Sequence, residues 1–317
     1  MAGVLVTDLG GGVHRITHPL PLALDHVHCY AVEGAAGWAL IDTGLASGAG
    51  ERWRAALAQL GDPRVSRIVL THFHPDHVGG SATLAGLTGA EVLQGAIDRE
   101  FARRMYVEPG YLQAVRRMLG LHGMPLGKIA ENVEHEGELL AVPATPARLL
   151  HEGDAVALGD TEFTVLVLPG HADGHIVLHD PRSGRLFAGD TVLQRITPNV
   201  ATWPDSEPDP LTRYLSTLER IARLQPTRTY PGHHELIDDA AGRAREIMAH
   251  HDVRLDVHEQ ALRAGHATTY DVARYVWGDA LRGHEWRFAL GEAISHLVRL
   301  VRLGRAGEVA AGRWAPV

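Results

Sequence analysis

The chain has 317 residues, 45% hydrophobic and 21% charged, with a formal net charge of -8. That length suits one large domain plus a small one, or two domains, and the acidic balance argues against a general binder of nucleic acid or anionic membranes. Cys29 is the only cysteine, which excludes an intrachain disulfide and argues against thiolate metal ligation.

No run reaches the roughly 18 apolar residues of a membrane span. Residues 1–12 lack a basic region followed by an apolar core, so no signal peptide is expected and the cytoplasm is the expected location. The 21 histidines exceed what packing would need.

Val4–Leu9 and Val13–Thr17 are predicted as a hairpin closed by Gly10-Gly11-Gly12, and Val27–Val32 and Trp38–Asp42 as a second strand pair. Glu51–Leu60 is predicted as a helix with Trp53, Ala56, Leu57 and Leu60 on one face. Ile68-Val69-Leu70 then reads as a buried strand. It runs into Thr71-His72-Phe73-His74-Pro75-Asp76-His77-Val78-Gly79-Gly80, where Pro75 suits the first turn of a helix. Four candidate ligands here follow the spacing His-x-His-x-Asp-His. Residues two apart at a strand end face the same way, so His72 and His74 can grip one ion, while Asp76 and His77, past the turn, can hold a second. Imidazole with carboxylate suits Zn²⁺ and also accepts Mn²⁺ or Fe.

Glu91–Gln94 is a short predicted strand. Residues 96–142 read as helical, interrupted by Pro109-Gly110 and Gly123-Met124-Pro125, and are expected to form an inserted cap whose Tyr106 and Tyr111 line the pocket. Strands return at Val156–Leu158, Thr161–Leu168, Ile176–His179 and Arg185–Ala188, then an amphipathic helix at Leu211–Leu224 and a strand at Thr227–Tyr230. Three of these strands end in a possible ligand: Leu168-Pro169-Gly170-His171, Phe187-Ala188-Gly189-Asp190 and Tyr230-Pro231-Gly232-His233. The glycine before each lets the backbone bend toward a common cleft. Beyond residue 240 come predicted helices at Gly242–Arg263, Thr268–Trp277 and Ala289–Leu303 and a short hairpin ending near Trp314, the outline of a winged-helix-like module. From Arg245 onward ten arginines stand against nine acidic residues, a near-neutral balance that weakens a DNA-reading role.

These motifs, in this order, resemble the metallo-β-lactamase-fold hydrolases over about the first 240 residues. The resemblance implies an α/β fold. A four-layer αββα sandwich would occupy 1–240 with the helical insertion at about 96–142, and 241–317 would resemble the winged-helix-like tail of β-lactamase-like endoribonucleases and their bacterial relatives. It implies one metal held by His72, His74 and His171 and a second held by Asp76, His77 and His233. Asp190 would bridge the two, and Asp42 would be a supporting acid rather than a ligand. His234 is the alternative to His233. Two departures narrow the activity: class B β-lactamases lack the bridging Asp, and flavodiiron proteins carry Glu where this chain has His74.

The resemblance further implies two Zn²⁺ ions sharing a water held as hydroxide near neutral pH, which attacks an ester or thioester while Asp76 passes the proton to the leaving group. Asp76 and Asp190 are thus the expected catalytic residues, in the manner of the hydroxyacylglutathione hydrolases. His175, Arg195, Thr197 and Asn199 are expected near a small-molecule substrate, and His250 and His251 are read as structural at the domain junction. Alternatives are a phosphodiesterase or endoribonuclease, a mononuclear-iron persulfide dioxygenase, and a binding protein without turnover. No membrane partner is expected, and a homodimer is allowed.

Overall fold

Apolar runs flanked by turn residues build the first sheet. β1 (Leu5–Asp8), β2 (Val13–Pro19), β3 (His26–Val32) and β4 (Trp38–Ile41) pair antiparallel, and β5 (Val65–Leu70), β6 (Glu91–Gly95) and β7 (Arg148–Leu150) continue parallel to β4. Parallel pairing needs crossovers. The chain supplies α1 (Ala49–Gln59) between β4 and β5, then α2 (Pro75–Val78) and α3 (Ser81–Thr88) before β6, with α4 (Ala96–Tyr106) following β6. The second sheet is an antiparallel meander of β8 (Ala155–Leu158), β9 (Thr161–Val167), β10 (Ile176–Asp180) and β11 (Arg185–Gly189), with β12 (Arg228–Pro231) parallel to β11. The computed structural model describes residues 3–21, 24–281, 283 and 285–317.

Strand alternation explains how the sheets stack. Tyr30, Ile41, Val69 and Leu93 of the first sheet meet Phe163, Val165, Leu178, Phe187 and Tyr230 of the second in one buried cluster. The opposite face of the first sheet, with Ile16, Leu40, Ile68 and Leu70, is covered by Trp53 and Ala56 of α1, Val78 of α2 and Leu84 of α3. The continuous run Ile68-Val69-Leu70 is therefore apolar because both of its faces are buried. On the far face of the second sheet Leu166, Val177 and Leu186 are buried as well. The mixed α/β layering is the one the resemblance implies.

The remaining elements are α5 (Tyr111–Leu121), α6 (Leu126–Leu139), α7 (Pro210–Leu224), α8 (Ala240–Arg263), α9 (Thr269–Trp277), α10 (Glu285–Arg302) and the hairpin β13 (Ala306–Ala310) with β14 (Arg313–Pro316). Val115 and Leu119 of α5 and Ile129 of α6 share a core with Tyr270, Ala273, Trp286 and Leu290. Thr268 caps α9 by accepting the Asp271 N–H at 3.1 Å, which satisfies one of the open amides of the first turn.

The chain divides into two compact units. One comprises Met1–Val107, Leu139–Pro198 and Leu224–Ala241, and the other Glu108–Glu138, Asn199–Arg223 and Gly242–Val317. This is not a single cut near residue 240. Most of α5, α6 and α7 group with the C-terminal helices, and the expected 96–142 cap is shared out, α4 going with the sandwich. Shared apolar packing, not order along the chain, sets the division. Among the described residues no helix is long and apolar enough to cross a membrane.

Candidate metal centre

Parallel register brings the first donors together. Ile41 pairs with Val69, and the Asp42 N–H donates to the Val69 carbonyl at 2.9 Å, so Asp42 follows β4 beside the end of β5. Asp42 has a left-handed backbone (φ 61°), which turns its carboxylate into the sandwich. One oxygen accepts the Thr71 N–H and the other the Thr71 hydroxyl, each at 2.8 Å. The second oxygen also meets His77 Nδ1 at 2.8 Å. That contact makes Nδ1 the protonated nitrogen and turns the Nε2 lone pair toward the other ligands.

The second sheet repeats the device. Gly189 of β11 pairs with Pro231 of β12, and the Gly232 N–H donates to the Gly189 carbonyl at 2.8 Å, which sets Asp190 next to His233. β3 clamps this loop from the other sheet. Tyr30 donates its hydroxyl to the Pro231 carbonyl (2.6 Å), the His28 N–H donates to the Gly232 carbonyl (2.7 Å), and His233 Nδ1 donates to the His26 carbonyl (2.7 Å). His233 Nε2 is thereby aimed at Asp190 Oδ2 (3.2 Å) and Asp76 Oδ2 (3.4 Å). His171 lies on the turn after β9, where Gly170 has φ 135°.

Three donor groups result: His72, His74 and His171; His72, His77 and Asp190; and Asp76, His77 and His233. Within each, the ligand atoms lie within 4.8 Å of one another. His72 Nε2 is 3.0 Å from His74 Nδ1. Asp190 stands between the sets, with Oδ1 3.5 Å from His77 Nε2 and Oδ2 3.8 Å from His171 Nε2.

This arrangement fits divalent metal. His77 Nε2, His233 Nε2 and Asp190 Oδ1 are buried without a hydrogen-bond partner, a costly state for three converging polar atoms that a cation would relieve. Electrostatics agree. Burial alone would lower the imidazole pKa of His77 and His233, yet the carboxylates outweigh it: Asp190, Asp42 and Asp76 raise His77, and Asp190 and Asp76 raise His233 to about 10. A site that holds protons this firmly is negative enough to hold a dication instead. His72 and His74 differ: burial and then neighbouring imidazoles keep them neutral, with lone pairs available.

The other expected site residues fall in varied places. His175 is buried and supports the site. Its Nε2 accepts the Asp190 N–H (3.1 Å), its Nδ1 meets the Thr191 hydroxyl (3.2 Å), and its ring stacks on His72 at 4.5 Å. Both of its nitrogens are thus engaged inside the protein, one of them by the backbone of Asp190. Tyr106 gives its hydroxyl to the Phe73 carbonyl at 2.8 Å, which braces the ligand loop, and its ring packs on the outer core of the first sheet. Arg195 is exposed and close enough to His234 to lower its pKa, after burial and other imidazoles.

Tyr111 and Asn199 belong to the helical unit. Tyr111 packs in its core, and Asn199 donates to Glu292 at 2.9 Å. His251 is buried there beside His296. His234 joins none of the donor groups; its N–H donates to His26 Nε2 at 3.1 Å. Sequence reasoning missed His26 and His28. Their alternation on β3 was the available signal.

Residues 22–233 match the Metallo-beta-lactamase superfamily, and the chain belongs to it. With that donor set at its strand ends, it is a metal-dependent hydrolase. The crystal structure of a metallo-beta-lactamase family protein from Thermus thermophilus superposes with a TM-score of 0.87 at 32% identity, over 98% of this chain and all of that one (100%). The Bacillus subtilis protein named "Probable metallo-hydrolase YqjP" is 30% identical over 71% of this chain and 72% of its own. Acyl-coenzyme A thioesterase MBLAC2 of Gallus gallus is 30% identical over 58% of this chain and 64% of its own. A hydroxyacylglutathione hydrolase of Cereibacter sphaeroides is 33% identical over 44% of this chain and 38% of its own.

Proposed function

We propose that the protein hydrolyses an ester or thioester of a small molecule at a two-metal centre, most simply two zinc ions. His72, His74 and His171 would hold one ion and Asp76, His77 and His233 the other, with Asp190 between them. One observation carries this reading: Asp190 Oδ2 lies within 3.8 Å of His171 Nε2 and 3.2 Å of His233 Nε2, one ligand from each set. The acyl-coenzyme A thioesterase and hydroxyacylglutathione hydrolase names among its relatives support the substrate class.

When bound, the ions supply an activated water near neutral pH and polarise the oxygen that gains charge. The protein's own residues do the rest. Asp42 and the His26 carbonyl fix the tautomers of His77 and His233, so that both present Nε2. His175 ties the Asp190 backbone in place. Asp76 is the more exposed of the two carboxylates, its side chain 17% accessible against 7% for Asp190, which makes it the candidate to pass a proton to the leaving group. Arg195, exposed near His234, is a candidate contact for an anionic end of the substrate.

The test is a screen of purified protein against acyl thioesters, lactones, phosphodiesters and single-stranded RNA, before and after chelation. Thioester hydrolysis that chelation removes and zinc restores supports the reading; RNA cleavage without thioester hydrolysis replaces it.

A further inference from the structure

Asp98 is a carboxylate that the chemistry above does not use. It sits on the first turn of α4 with no solvent exposure. Its Oδ1 accepts the Gly174 N–H at 3.0 Å, between His171 and His175. Its other oxygen, Oδ2, is buried without a hydrogen-bond partner. Gly174 is pressed against the start of α4: a Cβ there would lie 2.4 Å from the Asp98 backbone nitrogen and 2.6 Å from Ile97 Cβ. Phe73 is gripped twice more by α4, its ring 4.6 Å from Phe101 and its carbonyl accepting the Tyr106 hydroxyl at 2.8 Å. One helix thus holds the residue inside the His72–His74 pair and the residue three beyond His171. The loop of His233 is clamped by β3 instead.

We infer that Asp98 is a positioning residue for one metal site only. By pinning Gly174 to α4, the helix that also grips Phe73, it sets His171 relative to His72 and His74 without touching the Asp76, His77 and His233 set. The consequence is that the two ions are tuned by separate clamps, α4 for one and β3 for the other. This rests on the two-set ligand assignment proposed above. The spacing matters because imidazoles bind an ion only when their lone pairs converge, and loss of such outer contacts typically weakens metal affinity about 10–100-fold.

Chelator competition with zinc tests this on four backgrounds. His171→Ala and His233→Ala should each leave one tightly held ion per chain. Adding Asp98→Ala to His233→Ala should weaken the remaining ion about 10–100-fold; adding it to His171→Ala should change the remaining ion less than about threefold. A fold-wide role for Asp98 would weaken both remaining ions alike, and that result overturns the inference, as does no change on either background. If His171→Ala and His233→Ala do not each remove one ion, the ligand assignment itself fails, which is a separate outcome. Asp98→Asn, which keeps an acceptor for Gly174, should fall between wild type and Asp98→Ala on the His233→Ala background; it carries the same test if the alanine variant does not fold.

Discussion

The Asp42 carboxylate and the His77 imidazole meet at 2.8 Å with both side chains buried, and this contact decides which nitrogen of His77 faces the other candidate donors. Asp42→Ala leaves His77 free to take either tautomer and also strips two acceptors from Thr71. Metal affinity should drop about 10–100-fold. Chelator competition measures it; unchanged affinity would show that the ring is held by packing alone.

Gly232 has a role no larger residue can fill. A Cβ at this position would stand 2.3 Å from Asp190 Oδ1 and 2.8 Å from His77 Cε1, well inside van der Waals contact. Gly232→Ala should therefore displace Asp190 and cost about one ion per chain, although the position has an ordinary negative-φ backbone. Elemental analysis of the purified variant reads this directly, and a full metal complement would contradict it.

Asp190 carries the proposed bridge. Asp190→Ala should lower kcat by about a hundred- to thousandfold, the scale seen when a group organising transition-state charge is removed. The far-UV circular dichroism should stay close to wild type, because the residue follows a strand and is not part of either apolar core. Turnover at the wild-type rate would refute the bridging role.

The helical unit carries a pH liability of its own. His251, His258 and His296 are fully buried, with His251 Nδ1 3.2 Å from His296 Nε2 and the rings of His258 and His296 stacked at 4.5 Å. Burial first, then neighbouring positive groups, lowers His251 to about 3 and His258 well below its usual value; burial lowers His296 to about 4. Unfolding returns each to its ordinary value near 6.5, so below that pH the unfolded chain takes up protons that the folded helices refuse. Stability is full above about pH 6.5 and falls as pH drops toward 4. Glu292, pushed up to about 7 by burial, opposes this by one proton between its unfolded value and 7. From these four groups alone, three protons less one contribute about two to the slope, on the order of 2–3 kcal/mol per pH unit at its steepest. Urea midpoints between pH 7.5 and 5 measure it, and His258→Leu should make the slope shallower by about one proton. A pH-independent midpoint over that range would contradict the assignment of neutral buried imidazoles.

Much of this architecture was legible in the sequence, for local reasons. The run Ile68-Val69-Leu70 and the face of Trp53 and Ala56 carry strand and helix periodicity within a few residues, and the structure has β5 and α1 there. Each later donor stands just past an apolar strand and a glycine, so its position at a strand end could be read without knowing the fold. What stayed hidden depends on distant partners. The carbonyl that orients His233 belongs to His26, 207 residues away. The carbonyl that accepts the Tyr106 hydroxyl belongs to Phe73, 33 residues earlier. β7 is only three residues long, too short to show a period. The grouping of α5 and α6 with α9 and α10 depends on side-chain packing that no local pattern encodes.

The central claim is a two-metal thioester or ester hydrolase, and metal stoichiometry measured together with turnover tests it most directly. A two-metal centre should hold about two divalent ions per chain, with acyl-thioester hydrolysis that is lost on chelation and recovers when zinc is returned. A single iron per chain, with oxygen consumed in the presence of a persulfide and no hydrolysis, would contradict it.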